Sequence, residues 1–105
     1  MDGKAVNSCM VLAASANKKE IFTIEGLSKD GILHPLQKAF IEFGTVQCGY
    51  CIPGMIMSSK AMLDENPQPN IEEAKEAISG NFCRCTGYNK IIDAIMDVVK
   101  RRSMK

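Results

Sequence analysis

The pattern of apolar positions changes character near Gly31. Before it, apolar residues come in two short stretches, residues 10–14 and 20–24, separated by a polar turn at residues 15–19. Ile21, Phe22 and Thr23 are β-branched or aromatic, which predicts strand. Two strands alone are marginal in water, so residues 1–31 are expected to be the remnant of a larger sheet or a piece that pairs with a partner. Beyond Gly31 the apolar positions recur at helical spacing in four segments. The first, residues 34–43, has Leu33, Leu36, Phe40 and Ile41 as its stripe. Pro35 suits its first turn, where a missing N–H is no loss, and Gly44 sits where a helix-ending glycine belongs. The second, residues 53–65, turns Met55, Ile56, Met62 and Leu63 inward and is broken by Asn66-Pro67-Gln68-Pro69. The third starts at Asn70, with Glu73 completing a capping box. It buries Ala74, Ala77 and Ile78 and ends at Gly80. The fourth, residues 88–100, carries the strongest stripe, Ile91, Ile92, Ile95, Val98 and Val99. Lys100, Arg101 and Arg102 sit at its C-terminal end, where positive charge complements the helix dipole.

The four segments form a weak repeat: helix, glycine, a loop with two cysteines, helix, twice over. Two such hairpins packed about a pseudo-twofold axis make a four-helix bundle with both cysteine loops at one end. The expected fold is therefore mainly α, with a short β remnant at residues 1–31 and a bundle over residues 32–105.

The length of 105 residues fits one domain. A net charge of +1 gives no basic face for nucleic acid. No apolar run approaches the roughly 20 residues of a membrane span. The opening Met1-Asp2-Gly3-Lys4 lacks the apolar core of a signal peptide, so a cytoplasmic location is expected. In that compartment five cysteines point to metal or redox chemistry more than to disulfides.

Four of them form two close pairs, Cys48-Gly-Tyr-Cys51 and Cys83-Arg-Cys85, with residues 52–82 between. Two close pairs of thiolates can enclose one metal centre. Gly49 permits a tight turn that points backbone N–H groups at sulfur. Each loop runs into a helix N-terminus, where the dipole stabilises thiolate charge. Spacing leaves the chemistry open between an iron–sulfur cluster, a zinc-stapled structural or interaction module, and a thiol redox pair. The dithiol reading leaves Cys83 and Cys85 unexplained.

The runs Leu33-His-Pro-Leu-Gln-Lys-Ala-Phe40, Val46-Gln-Cys-Gly-Tyr-Cys-Ile-Pro-Gly-Met-Ile-Met57 and Gly80-Asn-Phe-Cys-Arg-Cys-Thr-Gly-Tyr88 closely resemble one family. It is the small iron–sulfur subunit of molybdenum hydroxylases such as xanthine dehydrogenase, aldehyde oxidoreductase and carbon monoxide dehydrogenase. Phe22-Thr-Ile-Glu-Gly-Leu27 belongs to the same pattern. The resemblance implies a [2Fe–2S] cluster on Cys48, Cys51, Cys83 and Cys85, at one end of a four-helix bundle. It implies one-electron transfer from a molybdopterin cofactor held by a large partner subunit. Gln47 matches a position that hydrogen-bonds the pterin, and Cys85 matches the ligand lying against the pterin amino group. A full member begins with a plant-type ferredoxin domain carrying a second cluster. Cys9 matches that cluster's fourth ligand, and its first three have no counterpart here. The chain thus resembles a member lacking most of that domain, with a flavin subunit or a separate ferredoxin-like chain as further expected partners.

Among the other residues, His34, the only histidine, is expected at a helix start. Cys9 is expected to be a small, partly buried apolar residue. Met55 and Met57 are placed to keep water from the cysteines. Tyr50 and Tyr88 flank the pairs, to shield sulfur or hydrogen-bond. Arg84 is placed to balance cluster charge or meet a partner's carboxylate. No Ser/His/Asp set, phosphate loop or carboxylate pair stands out, so no substrate chemistry is expected of the chain alone.

Overall fold

Two helices of this chain start where a side chain satisfies the first free N–H groups. His34 Nδ1 accepts from the Leu36 N–H at 3.1 Å, and Gln37 Oε1 accepts in return from the His34 N–H at 2.9 Å. Asn70 Oδ1 accepts from the Glu73 N–H at 2.8 Å, and the Glu73 carboxylate accepts from the Asn70 N–H at 3.1 Å. The second is the capping box that the sequence predicts, and the first puts His34 at the helix start expected of it. The computed structural model describes residues 1–103, with side chains through Arg101. Among them are four α-helices: α1 (Pro35–Glu42), α2 (Ile52–Glu65), α3 (Ile71–Ala77) and α4 (Asn89–Ser103). The expected positive tail at residues 100–105 extends to side chains outside the described residues.

The helices pack as two hairpins. α1 lies most extensively on α4, α3 lies on α2, and α2 touches α4 across the middle. Exchanging the hairpins turns the α1–α4 contact into the less extensive α2–α3 contact, so the expected pseudo-twofold holds only in outline. The core joins Leu36 and Phe40 of α1, Met55 and Leu63 of α2, Ala74 of α3 and Ile91, Ile95 and Val98 of α4. All five residues of the expected α4 stripe are buried, as are Met55, Ile56 and Leu63 of α2. The α1 stripe is narrower than expected. Leu36, Ala39 and Phe40 form it, whereas Ile41 is 63% exposed and Leu33 lies at the surface. At 3.6 residues per turn Ile41 falls a quarter-turn beyond the buried face, and Leu33 precedes the helix. α3 stops at Ala77, short of the expected Gly80, and an irregular turn carries the chain from Ile78 to Asn81.

The two expected strands do not form among the described residues. Three short 3-10 turns take their place, at Ser8–Met10, Ala13–Ala16 and Ile24–Gly26. Ala13, Ala14 and Ala16 are poor strand formers, and the extended residues near Ile21 have no neighbouring strand to pair with. Asp2 alone reaches across. Its N–H donates to the Glu20 carbonyl and its carboxylate accepts from the Glu20 N–H, each at 2.8 Å. Ile24 and Leu27 pack against the bundle core. Val6, Met10, Leu12, Ile21 and Phe22 remain exposed. Cys9 is exposed too, where partial burial was expected.

Candidate metal centre

The first cysteine loop is positioned by the way α1 ends. The Gly44 N–H donates to the Ile41 carbonyl and the Thr45 N–H to the Phe40 carbonyl, a Schellman closure. The Thr45 hydroxyl adds a buried bond to the same Phe40 carbonyl at 2.8 Å. The chain then emerges at Val46, Gln47 and Cys48, all exposed. Gly49 has φ +85°, a left-handed conformation that glycine adopts without strain. This turn delivers Cys51 as the N-cap of α2, half-buried, its carbonyl accepting from the Met55 N–H at 3.0 Å. Both sequence expectations for this loop, the tight turn and the helix N-terminus, hold.

The second loop is held by hydrogen bonds to and around Cys83. Thr86 Oγ1 donates to Cys83 Sγ at 3.1 Å, and the Thr86 N–H approaches the same sulfur at 3.4 Å. The Cys83 N–H donates to Tyr88 Oη at 3.0 Å. The Tyr88 carbonyl opens α4 by accepting from the Ile92 N–H. Tyr88 therefore acts on the backbone beside a sulfur, whereas Tyr50 is 94% exposed and shields nothing. Met55 lies in the core, Met57 is half-buried and Arg84 is exposed.

One further contact locks the loops together. The Asn81 side chain lies against Gly54 in the first turn of α2, so closely that a Cβ on Gly54 would overlap it. From there Asn81 Nδ2 donates to Ser58 Oγ at 2.9 Å. Gly54 is three residues past Cys51, and Asn81 two before Cys83. Sequence reasoning missed Gly54, Ser58, Asn81 and Thr86. A glycine in the first turns of a helix was the available signal, since glycine is a poor helix former unless a neighbour needs its space.

The four thiols of Cys48, Cys51, Cys83 and Cys85 shift one another's titration, Cys48 with Cys85 and Cys51 with Cys83 most directly. In each of these two couples one thiol is held down and the other is raised. The Tyr50 N–H, with help from Cys85, holds the Cys48 thiol below its usual range, and Cys85 is raised as the donor. The Thr86 hydroxyl brings Cys83 down to about 7, whereas burial pushes Cys51 up to about 11. Among the described residues, no three cysteine, histidine or acidic side chains gather about one point closely enough to hold a single ion. A [2Fe–2S] cluster takes four thiolates, two per iron, and tetrahedral zinc takes four about one centre. The donor set, four cysteine thiols on two loops, has the number and type of ligands that a [2Fe–2S] cluster takes. Gln47 stands beside Cys48 at the surface, and exposed Val46, Tyr50 and Phe82 flank the two loops. The lone Cys9 forms no part of this donor set.

The family described as "[2Fe-2S] binding domain" matches residues 23–96. The nicotinate dehydrogenase small FeS subunit of Eubacterium barkeri is 51% identical over 95% of this chain, which spans 64% of that relative. The xanthine dehydrogenase iron-sulfur-binding subunit of Escherichia coli O157:H7 is 44% identical over 97% of the chain, which spans 65% of it. The structure of the aldehyde oxidoreductase from Desulfovibrio gigas superposes with a TM-score of 0.91 at 41% identity, covering 99% of this chain and 12% of that one. The chain thus spans less than two thirds of the length of both relatives.

Proposed function

The chain belongs to the [2Fe–2S] binding domain family, and from that premise we propose that it is a one-cluster electron carrier: the iron–sulfur subunit, or part of it, of a molybdenum-cofactor hydroxylase. The cluster, when bound, supplies transfer of one electron at a time. Cys48, Cys51, Cys83 and Cys85 would hold it. The observation that carries this reading is the match to the [2Fe-2S] binding domain over residues 23–96, which spans all four cysteines and both of their loops. The chain's own contribution is to fix the four sulfurs, aim N–H and O–H donors at them, and bury one side of the group.

Gln47 and Cys85 lie on the exposed side, and in this reading they meet the pterin of a large molybdenum-cofactor subunit. Val46, Tyr50 and Phe82 provide apolar surface for that contact. In the same reading residues 1–31, of which Ile24 and Leu27 pack on the bundle core, belong to a ferredoxin-like domain, and a flavin subunit or ferredoxin-like chain is the onward partner. The exposed apolar residues of that segment support a covered surface there. No described helix is long and apolar enough to cross a membrane, and a cytoplasmic location belongs to the same reading.

The test is iron, acid-labile sulfide and zinc per chain on anaerobically purified protein. About two irons and two sulfides are expected, with a red-brown chromophore. Zinc without sulfide, persisting after iron and sulfide reconstitution, would overturn the reading. The Cys83→Ser variant is expected to lose the chromophore and Cys9→Ser to retain it. Loss of colour in the Cys9 variant would contradict the four-ligand assignment.

A further inference from the structure

The hydrogen bonds around Cys83 close into a ring. The Cys83 N–H donates to Tyr88 Oη, the Tyr88 N–H donates to Thr86 Oγ1 at 3.1 Å, and the Thr86 hydroxyl donates to Cys83 Sγ. The ring fixes the direction of the hydroxyl. A threonine oxygen has one proton and two lone pairs. Here the oxygen accepts from the Tyr88 N–H, so its own proton is directed to sulfur. The backbone is held in a disfavoured shape to achieve this. Tyr88 has φ +73°, which is rare for an aromatic residue and persists where surrounding structure imposes it. The ring is half-buried, where bonds of this kind strengthen one another. Among the described residues, no other cysteine sulfur accepts from a hydroxyl.

We propose that Thr86 sets the reduction potential of the cluster: its hydroxyl, aimed at Cys83 Sγ by the Tyr88 N–H, stabilises the negative charge that sulfur gains on reduction. The proposal rests on the reading of Cys83 as a ligand. The equilibrium is the gain of one electron from an electrode, which takes one ferric iron to ferrous with no bond or proton moved. Hydrogen bonds to cluster sulfurs are among the terms that set the potential. A donor favours the more negative state, so the hydroxyl raises the potential and its removal lowers it. Thr86 touches a ligand and not the metal, which makes it a positioning and tuning residue.

The experiment uses the full chain loaded anaerobically with ferrous iron and sulfide, with potentials read by voltammetry and the reduced cluster by electron paramagnetic resonance. Thr86→Val keeps the shape and removes the donor, Thr86→Ala removes both, and Thr86→Ser restores the donor. Valine and alanine are expected to lower the ratio of reduced to oxidised cluster about tenfold at a fixed potential, a shift of about 59 mV for one electron. Serine is expected to stay near wild type, and iron and sulfide contents to remain unchanged. Native potential in either the valine or the alanine variant with full iron would overturn the proposal, as would a serine variant shifted as far as valine. Should valine and alanine both lose iron while serine keeps it, the hydroxyl serves assembly and the tuning role is refuted. A wild-type chain without sulfide would instead refute the cluster itself, an outcome read before any variant is made.

Discussion

Cysteines of one chemical type are given unlike characters by their immediate neighbours. Cys83, under the Thr86 hydroxyl, is a thiolate above about pH 7, whereas the burial of Cys51 keeps it protonated to about pH 11. Only the thiolate is a nucleophile, so a lowered pKa brings reactivity to lower pH and a raised one delays it. In the metal-free chain, iodoacetamide is therefore expected to label Cys83 with a midpoint near pH 7, while Cys51 resists until strongly alkaline pH. Mass spectrometry of labelled peptides across pH would check this. Equal labelling of the two at pH 8 would contradict it. The four cysteines were legible from sequence because they fall in two closely spaced motifs, residues 48–51 and 83–85. The donors that distinguish them were not, because Thr86 and Tyr88 act through a turn with two left-handed residues, of which Gly87 is marked in the sequence and Tyr88 is not.

At the scale of elements, the cysteine loops are positioned by what precedes and follows them. The Schellman closure of α1 releases the first loop, and α2 and α4 take up the chain after each pair. Asn81, seated on Gly54 and bonded to Ser58, fixes one loop against the other helix. Gly54→Ala is expected to push Asn81 off its seat. Overpacking of this kind costs roughly 1–3 kcal/mol, and the lost bond adds about 1 kcal/mol. Denaturant unfolding would show the loss of stability, and faster bleaching by a chelator would show that the loops have parted. A variant as stable as wild type would mean that the contact carries no energy. The helix ends were legible because capping is local: Asn70 with Glu73, and His34 with Gln37. The strand expectation failed for the opposite reason. A strand exists only through its neighbours, and residues 1–31 have none among the described residues.

For the whole molecule, stability resides in the seam where α4 meets the other helices. Ile95 is fully buried there, whereas Arg101 reaches over the surface to Glu42 of α1 at 2.9 Å and to Asp97 at 2.8 Å. Ile95→Ala is expected to cost about 2–5 kcal/mol, because removing buried carbons leaves a cavity. Arg101→Ala is expected to cost no more than about 1 kcal/mol, since its side chain and that of Glu42 are about half exposed and solvent screens them. Thermal melts of both variants would separate these magnitudes. An arginine variant that melts below the isoleucine one would reverse the ranking of core and surface.

The sequence by itself determined the helices, their caps, most of their buried faces and the four cysteines, because periodicity, capping and short spacing are properties of neighbouring residues. It also carried the family, through three motifs dense enough to be specific. Only the tertiary structure decided what surrounds each cysteine, since the Thr86 hydroxyl reaches the Cys83 sulfur and the Tyr88 phenol accepts from the Cys83 N–H. It alone decided that Ile41 faces solvent, that Gly54 must lack a side chain, and that the Thr86 proton is directed to sulfur. Each of these depends on where residues distant in sequence, or turned by an unusual backbone angle, come to lie beside one another.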